Sequence, residues 1–372
     1  MGVLIRSAFA IALVFMASCI DRSFTPVMPE ALEVGTPKTI FVATIREPVP
    51  NGSFGPGRSD QYSLLELTVS IPPNRQTGQL SFAYAKPDPE TQFTMAGRRV
   101  FDDQSGFYTR IKAEMAKLPR DQREITVFVH GFNSTQAETA FRAAQLAQDI
   151  QLPGATMIYS WPSQGNPLGY AYDGDSVLFA RDGLERMLRQ IRSADVGRVA
   201  LVAHSMGSQL VMETLRQIEI QTPGWSAANL NGVVLISPDL DVEVFRSQMN
   251  RIAEVPQPFV VFVSSKDRLL NISGRLRGNH NSVRLGSLTS LEAVAGLPIN
   301  IIDTTAFSDD AVSSHLVAGT SPALIAILKS ARKTANAFGR DAVFLANLLP
   351  GQVINADGAT QVSLRNTGSD ER

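Results

Sequence analysis

The chain has 372 residues, a formal net charge of −1, 44% apolar residues and 19% charged ones. That apolar fraction excludes general disorder, and the length allows one large domain or two modest ones. A balanced charge gives no bias toward nucleic acid, and a single cysteine excludes any disulfide within the chain.

Residues 1–19 read as a signal peptide: Arg6, an apolar run over 8–16, then small residues ending at Cys19. The run is too short to span a bilayer as a mature helix. "MASC" at 16–19 resembles the lipobox of bacterial lipoproteins, with Met16 where leucine is commoner. That resemblance implies a lipidated Cys19 and a chain tied to a membrane of the cell envelope, facing the periplasm or the exterior. A plain signal peptide with an incidental cysteine is the alternative. Residues 20–37, polar and proline-rich, read as a tether before a folded domain expected over 38–349.

Within that domain, 39–47 and 62–73 are predicted strands on either side of a glycine-rich loop, and 78–89 is a candidate third. Together they form an expected antiparallel N-terminal edge. From Arg123 the rhythm becomes strand–helix alternation. "EITVFV" is an uninterrupted apolar run, as in a strand covered on both faces. A helix follows at 137–150, then the strand "ATMIYS". Val177, Leu184, Leu188 and Ile191 mark an amphipathic helix. The strands "RVALVAH", "GVVLIS", "PFVVFV" and "INII" complete the alternation. A last helix is predicted at 321–338, extended by "DAVFLANLL", and the polar tail 350–372 is expected to be disordered. The pattern predicts an α/β fold with a doubly wound, mostly parallel sheet, whose ligands bind beyond the carboxyl ends of the strands.

Polar candidates cluster at those ends. Ser205 in "AHSMG" sits between a strand and a helix, the setting of a nucleophile elbow, with Ala203 where glycine is commonest. The bland alternative is a helix N-cap. A serine needs a base, and of the four histidines His315 follows the last strand. His204 adjoins the serine and is expected to point away, His130 suits the shaping of a loop, and His280 lies in a polar segment. Asp267 is the favoured acid, Asp239 its competitor one strand earlier, and Asp303 and Asp309 are weaker. The order Ser–Asp–His is that of α/β-hydrolases. The amides of Phe132 and Met206 would form an oxyanion hole. Asn133, Ser134 and Thr135 could equally cap the next helix. Trp161, Tyr170 and Tyr172 either line an acyl or alcohol pocket or pack their loop onto the sheet. No spacing implies a metal or a cofactor.

These segments resemble the DUF900 family of bacterial α/β-hydrolases. The resemblance runs from "IFVATIRE" through "VFVHGFNST", "YSWPSQG", "VALVAHSMGS", "VVLISPDLD" and "FVSSKDRLL" to the histidine of "SSH". It implies a Ser205–Asp267–His315 triad. "SSHLVAG" departs from the family's "HSYF"-type stretch, which bears on the pocket beside His315. The expectation is an esterase- or lipase-like serine hydrolase acting on a small-molecule ester or acyl substrate. Acyl transfer and peptidase chemistry use the same parts, and a non-catalytic envelope binding protein is the rival from another class. The short link from Asp241 to Phe259 leaves little room for a large lid.

Overall fold

The structure, a computed structural model, describes residues 22, 24–276, 283–308, 313–335, 351–356 and 358–365. The signal segment, Cys19, His280, Asp309 and "DAVFLANLL" lie outside the described residues.

One sheet runs through the molecule. Its strands are β1 (Thr36–Pro48), β2 (Phe54–Ile71), β3 (Thr94–Phe101), β4 (Glu124–Val129), β5 (Ala155–Ser160) and β6 (Arg198–His204), followed by β7 (Leu230–Ile236), β8 (Phe259–Val263), β9 (Asn300–Asp303), β10 (Gly351–Ala356) and β11 (Ala359–Leu364). Their spatial order is β10-β11-β9-β8-β7-β6-β4-β5-β1-β2-β3. Every pairing from β1 through β5, β4, β6, β7, β8 and β9 to β11 is parallel. The β1–β2, β2–β3 and β10–β11 pairings are antiparallel. The sheet is thus mostly parallel with an antiparallel N-terminal edge.

β4 and β5 are buried at every position, which is why they read as unbroken apolar runs. The main helices are α1 (Gln104–Ala116), α2 (Gln136–Ile150), α3 (Tyr170–Ala194), α4 (Met206–Gln221), α5 (Val242–Met249), α6 (Arg268–Leu276) and α7 (Pro322–Ala335). One large core joins α3 and α4 to one face of the sheet through Val177, Leu184, Leu188, Leu210 and Leu215. On the other face Phe141 and Ala144 of α2 pack on Ile158 and Phe128. α2 begins with a capping box between Thr135 and Glu138, which satisfies two of the amides a helix start leaves open.

Three expectations differ from the structure. The stretch 78–89 is not a strand; the third strand is Thr94–Phe101. Pro87 and Pro89 lack the N–H that pairing needs. The tether is not free along its length: Pro29–Glu33 forms a 3-10 turn, and the Met28 amide donates to the Met95 carbonyl at 2.8 Å. The polar tail is not disordered over 351–356 and 359–364. It forms the hairpin β10–β11, and β11 lies parallel to β9.

Candidate active site

The serine. β6 ends at His204, α4 starts at Met206, and Ser205 between them holds φ 52° and ψ −124°. A non-glycine residue rarely adopts this conformation, and strain of this kind persists only where the surroundings enforce it. They do so here. The Ser205 amide donates to the Ile236 carbonyl at 3.0 Å, and its carbonyl accepts from the Ser208 and Asp239 amides at 3.0 and 3.2 Å. Two glycines permit the approach of β4. A Cβ on Gly131 would lie 2.8 Å from the Ser205 Cβ, and one on Gly207 would lie 2.3 Å from the His130 carbonyl oxygen. Ala203 packs in the core with its methyl fully buried, so the substitution for glycine fits. Ser205 makes no side-chain cap bond to the helix; the N-cap alternative does not describe it.

The imidazole and the carboxylate. His315 Nδ1 donates to Asp267 Oδ2 at 2.8 Å. Asp267 is completely buried at the head of α6, and its Oδ1 accepts from the Leu269 and Leu270 amides at 3.1 and 3.3 Å. One oxygen is therefore fixed by the helix start and the other is aimed at the imidazole. With Nδ1 protonated, Nε2 of His315 is left as the acceptor nitrogen. His315 and Ser205 line one cleft of about 360 Å³, together with Phe132, Tyr170, Asp239 and Ile272.

Asp239, the competing acid, is engaged elsewhere. Its Oδ2 accepts from Tyr170 Oη at 2.8 Å and its Oδ1 from Ser273 Oγ at 2.7 Å. The buried Arg284 guanidinium lies 3.2 Å away. Asp303 accepts from the amide and hydroxyl of Thr305 and so holds a turn.

His204 does not point away from the site. Its Nε2 donates to the His315 carbonyl at 3.1 Å, and the two rings lie 4.9 Å apart. Burial pushes its pKa well down, with the His315 charge adding to the effect, so this ring stays neutral beside the other. Sequence reasoning passed over it because neighbours on a strand face opposite ways; the sharp turn at Ser205 removes that constraint.

The loop after β4. Met206 is the first residue of α4, so its amide is among those a helix leaves without an internal partner. Facing it, 130–135 is held by a polar network. Asn133, at φ 57°, donates its amide to Asp173 Oδ2 at 3.2 Å. Asp173 also accepts from Ser163 Oγ at 2.6 Å and the Gln164 amide at 2.7 Å. Burial raises its pKa, against the pull of these donors. The fully buried Arg46 donates to Ser160 Oγ, Ser163 O and Ser134 O at 2.9, 2.9 and 2.7 Å. Arg22 also donates to this loop and its neighbours, to Asn133 Oδ1 at 2.7 Å, Gly165 O at 2.6 Å and Glu138 Oε1 at 2.6 Å. Arg22, Arg46 and Asp173 were not singled out by sequence; an arginine inside the apolar "IFVATIRE" was the available signal.

Trp161, a candidate pocket residue, does not line the cleft. It is fully buried, stacks on His130 with ring centroids 4.7 Å apart, and its Nε1 donates to the His130 carbonyl at 2.8 Å. Tyr172 likewise packs elsewhere, with its hydroxyl on the Pro56 carbonyl. Tyr170 does line the cleft, edge-on to Phe132 at 5.4 Å.

Burial, then the nearby Arg46 charge, lowers the His130 pKa to about 3. The unfolded chain binds that proton near pH 6.5, so this stabilisation is complete above pH 6.5 and falls away as the pH drops toward 3. At pH 5 the loss is about 2 kcal/mol. His204, shifted the same way, adds to it. Denaturant unfolding at pH 7.5 and pH 5 is expected to show at least this loss, and His130→Asn is expected to flatten the difference. An equal difference in the variant would contradict the assignment.

Among the described residues no group of three or more His, Cys, Asp or Glu could hold a metal ion, and no helix is long and apolar enough to cross a membrane.

No curated protein matches the sequence. Solved structures similar to this chain include a dienelactone hydrolase from Anabaena variabilis, at 12% identity and TM-score 0.35, covering 72% of this chain and 89% of that one. A fungal esterase from Rhizomucor miehei is similar at 12% identity and TM-score 0.28, over 91% of this chain and 76% of that one. An esterase from Pyrococcus furiosus is similar at 9% identity and TM-score 0.29, over 77% and 87%. Residues 107–332, well over half the chain and including the elbow, the buried carboxylate and the cleft histidine, match the model of an α/β-hydrolase family of unknown function, DUF900, and the chain belongs to that family.

Proposed function

We propose that this chain is a serine hydrolase of carboxylic esters working through an acyl-enzyme. The observation that carries the reading is the His315–Asp267 hydrogen bond beside a strained Ser205 on the same cleft. Nε2 of His315 takes the proton as Ser205 Oγ attacks the ester carbonyl. Asp267 stabilises the imidazolium and keeps its orientation. The Phe132 and Met206 amides bind the developing oxyanion. His315 then protonates the leaving alcohol, and water repeats the sequence on the acyl-enzyme. Tyr170 borders the substrate cleft. The sequence of the leader supports a chain anchored to the cell envelope through lipid on Cys19.

A fluorophosphonate probe, which phosphonylates activated serines, is expected to label the wild-type protein and not Ser205→Ala. Absence of labelling in folded wild type, or equal labelling of the variant, would overturn the reading. A series of chromogenic esters then ranks acyl-chain lengths.

A further inference from the structure

We infer that the mouth of the cleft rests on the lipid surface that anchors the chain, so that the substrate is an amphiphilic acyl ester drawn from that layer. The inference rests on the anchor at Cys19 and on the Ser205 reading above.

The first observation is where the N-terminal segment arrives. The Arg22 guanidinium is bonded to Asn133, which lines the cleft, and to Gly165 in the loop that forms the adjacent wall. Arg22 also pairs with Glu138 and Tyr84, so it is held from several sides. Cys19 precedes it by three residues. Three Cα–Cα steps reach at most about 11 Å in any conformation. A lipid on Cys19 therefore holds the bilayer surface beside the mouth of the cleft. A long flexible tether would leave orientation free; this one is fixed at its third residue.

The second observation is what the mouth exposes. Leu168, next to the cleft residue Pro167, is 92% exposed. In another part of the cleft wall α6 turns Leu270 and Ser273 inward. Leu269 and Ile272, one turn apart on its outer face, line the cleft and are 43% and 52% exposed. Phe24, two residues after Arg22, is exposed as well. Arg268 stands exposed at the start of the same helix, as suits an anionic headgroup layer. Apolar side chains at two parts of a cleft wall mark an interaction surface. A lipid on Cys19 would tie the chain to the layer, and an apolar rim adds the contacts that orient the cleft toward it. The occupant is a lipid layer because the chain that leads to it is itself lipid-bearing and too short to place the mouth elsewhere.

The test uses the full-length, processed protein in vesicles of phosphatidylethanolamine and phosphatidylglycerol. A polarity-sensitive dye is attached at Leu168→Cys or, as a control, at Val100→Cys on the distant strand β3, where the side chain is 52% exposed. Doxyl-labelled lipids are expected to quench the dye at 168 and not at 100. Equal quenching at both sites, or none at 168, would overturn the inference. Dye uptake by the parent protein would show a free Cys19 thiol and overturn the anchor itself, which separates that failure from the first. Leu168→Ser is expected to slow hydrolysis of a long-chain ester embedded in the vesicles at least about fivefold. Hydrolysis of a water-soluble short-chain ester should be unchanged, and an equal loss on both esters would overturn the inference. Loss of all activity in Ser205→Ala alongside normal quenching at 168 would leave both readings standing. Full activity in Ser205→Ala would remove the serine reading alone.

Discussion

Asp267→Asn is expected to lower kcat about 10⁴-fold, because an asparagine amide favours the wrong imidazole tautomer. In the wild type the carboxylate can only accept, so His315 carries its proton on Nδ1 and keeps Nε2 free for the serine. The buried position of Asp267 and its two helix amides leave the new side chain little room to turn. Asp239→Asn provides the contrast. That carboxylate binds Tyr170 and Ser273 and never reaches the imidazole. Its loss should act on substrate fit, raising KM and leaving kcat within about tenfold. Steady-state kinetics on one chromogenic ester, with thermal melting to show that both variants fold, decides the matter. The reverse ranking would make Asp239 the triad acid.

Arg46→Leu is expected to cost about 3–5 kcal/mol of folding stability, the range for breaking a buried ionic network from one side. Burial lowers the Arg46 pKa to about 10, so the guanidinium is still charged at neutral pH. Its removal orphans the carbonyls of Ser134 and Ser163 and the hydroxyl of Ser160, and it takes away the cation that offsets buried Asp173. Denaturant midpoints measure the loss. Arg46→Lys separates stability from catalysis. An ammonium keeps the charge but cannot reach all the fork's acceptors at once. Where that variant remains folded, kcat should fall with KM little changed, because the carbonyl of Ser134 follows directly on the loop that would hold the oxyanion. A Leu variant as stable as wild type would contradict this account.

The elbow and the triad candidates were legible because their signal is local: a polar residue just beyond an apolar strand, repeated along an alternating pattern. Ser205, Asp267 and His315 each stand at such a point. The supporting network was not legible, because its members meet only after folding. Arg46 and Asp173 lie far apart in sequence, and neither belongs to a motif. Trp161 shows a different limit. A loop aromatic gives the same sequence signature whether it faces a ligand or the core, and only its stacking on His130 settles which. The hairpin at 351–364 did carry a signal, the Asp357–Gly358 dipeptide between alternating residues. Its polar composition masked it, as expected for a strand near a sheet edge.

That hairpin has a consequence for β9. β9, only four residues long, precedes the segment bearing His315 and is flanked by β8 and β11. Without residues 359–364, β9 would be an open edge with one row of unpaired backbone groups. Pairing with β11 closes that edge, so the short strand that leads to His315 draws its rigidity from a segment more than forty residues further along the chain.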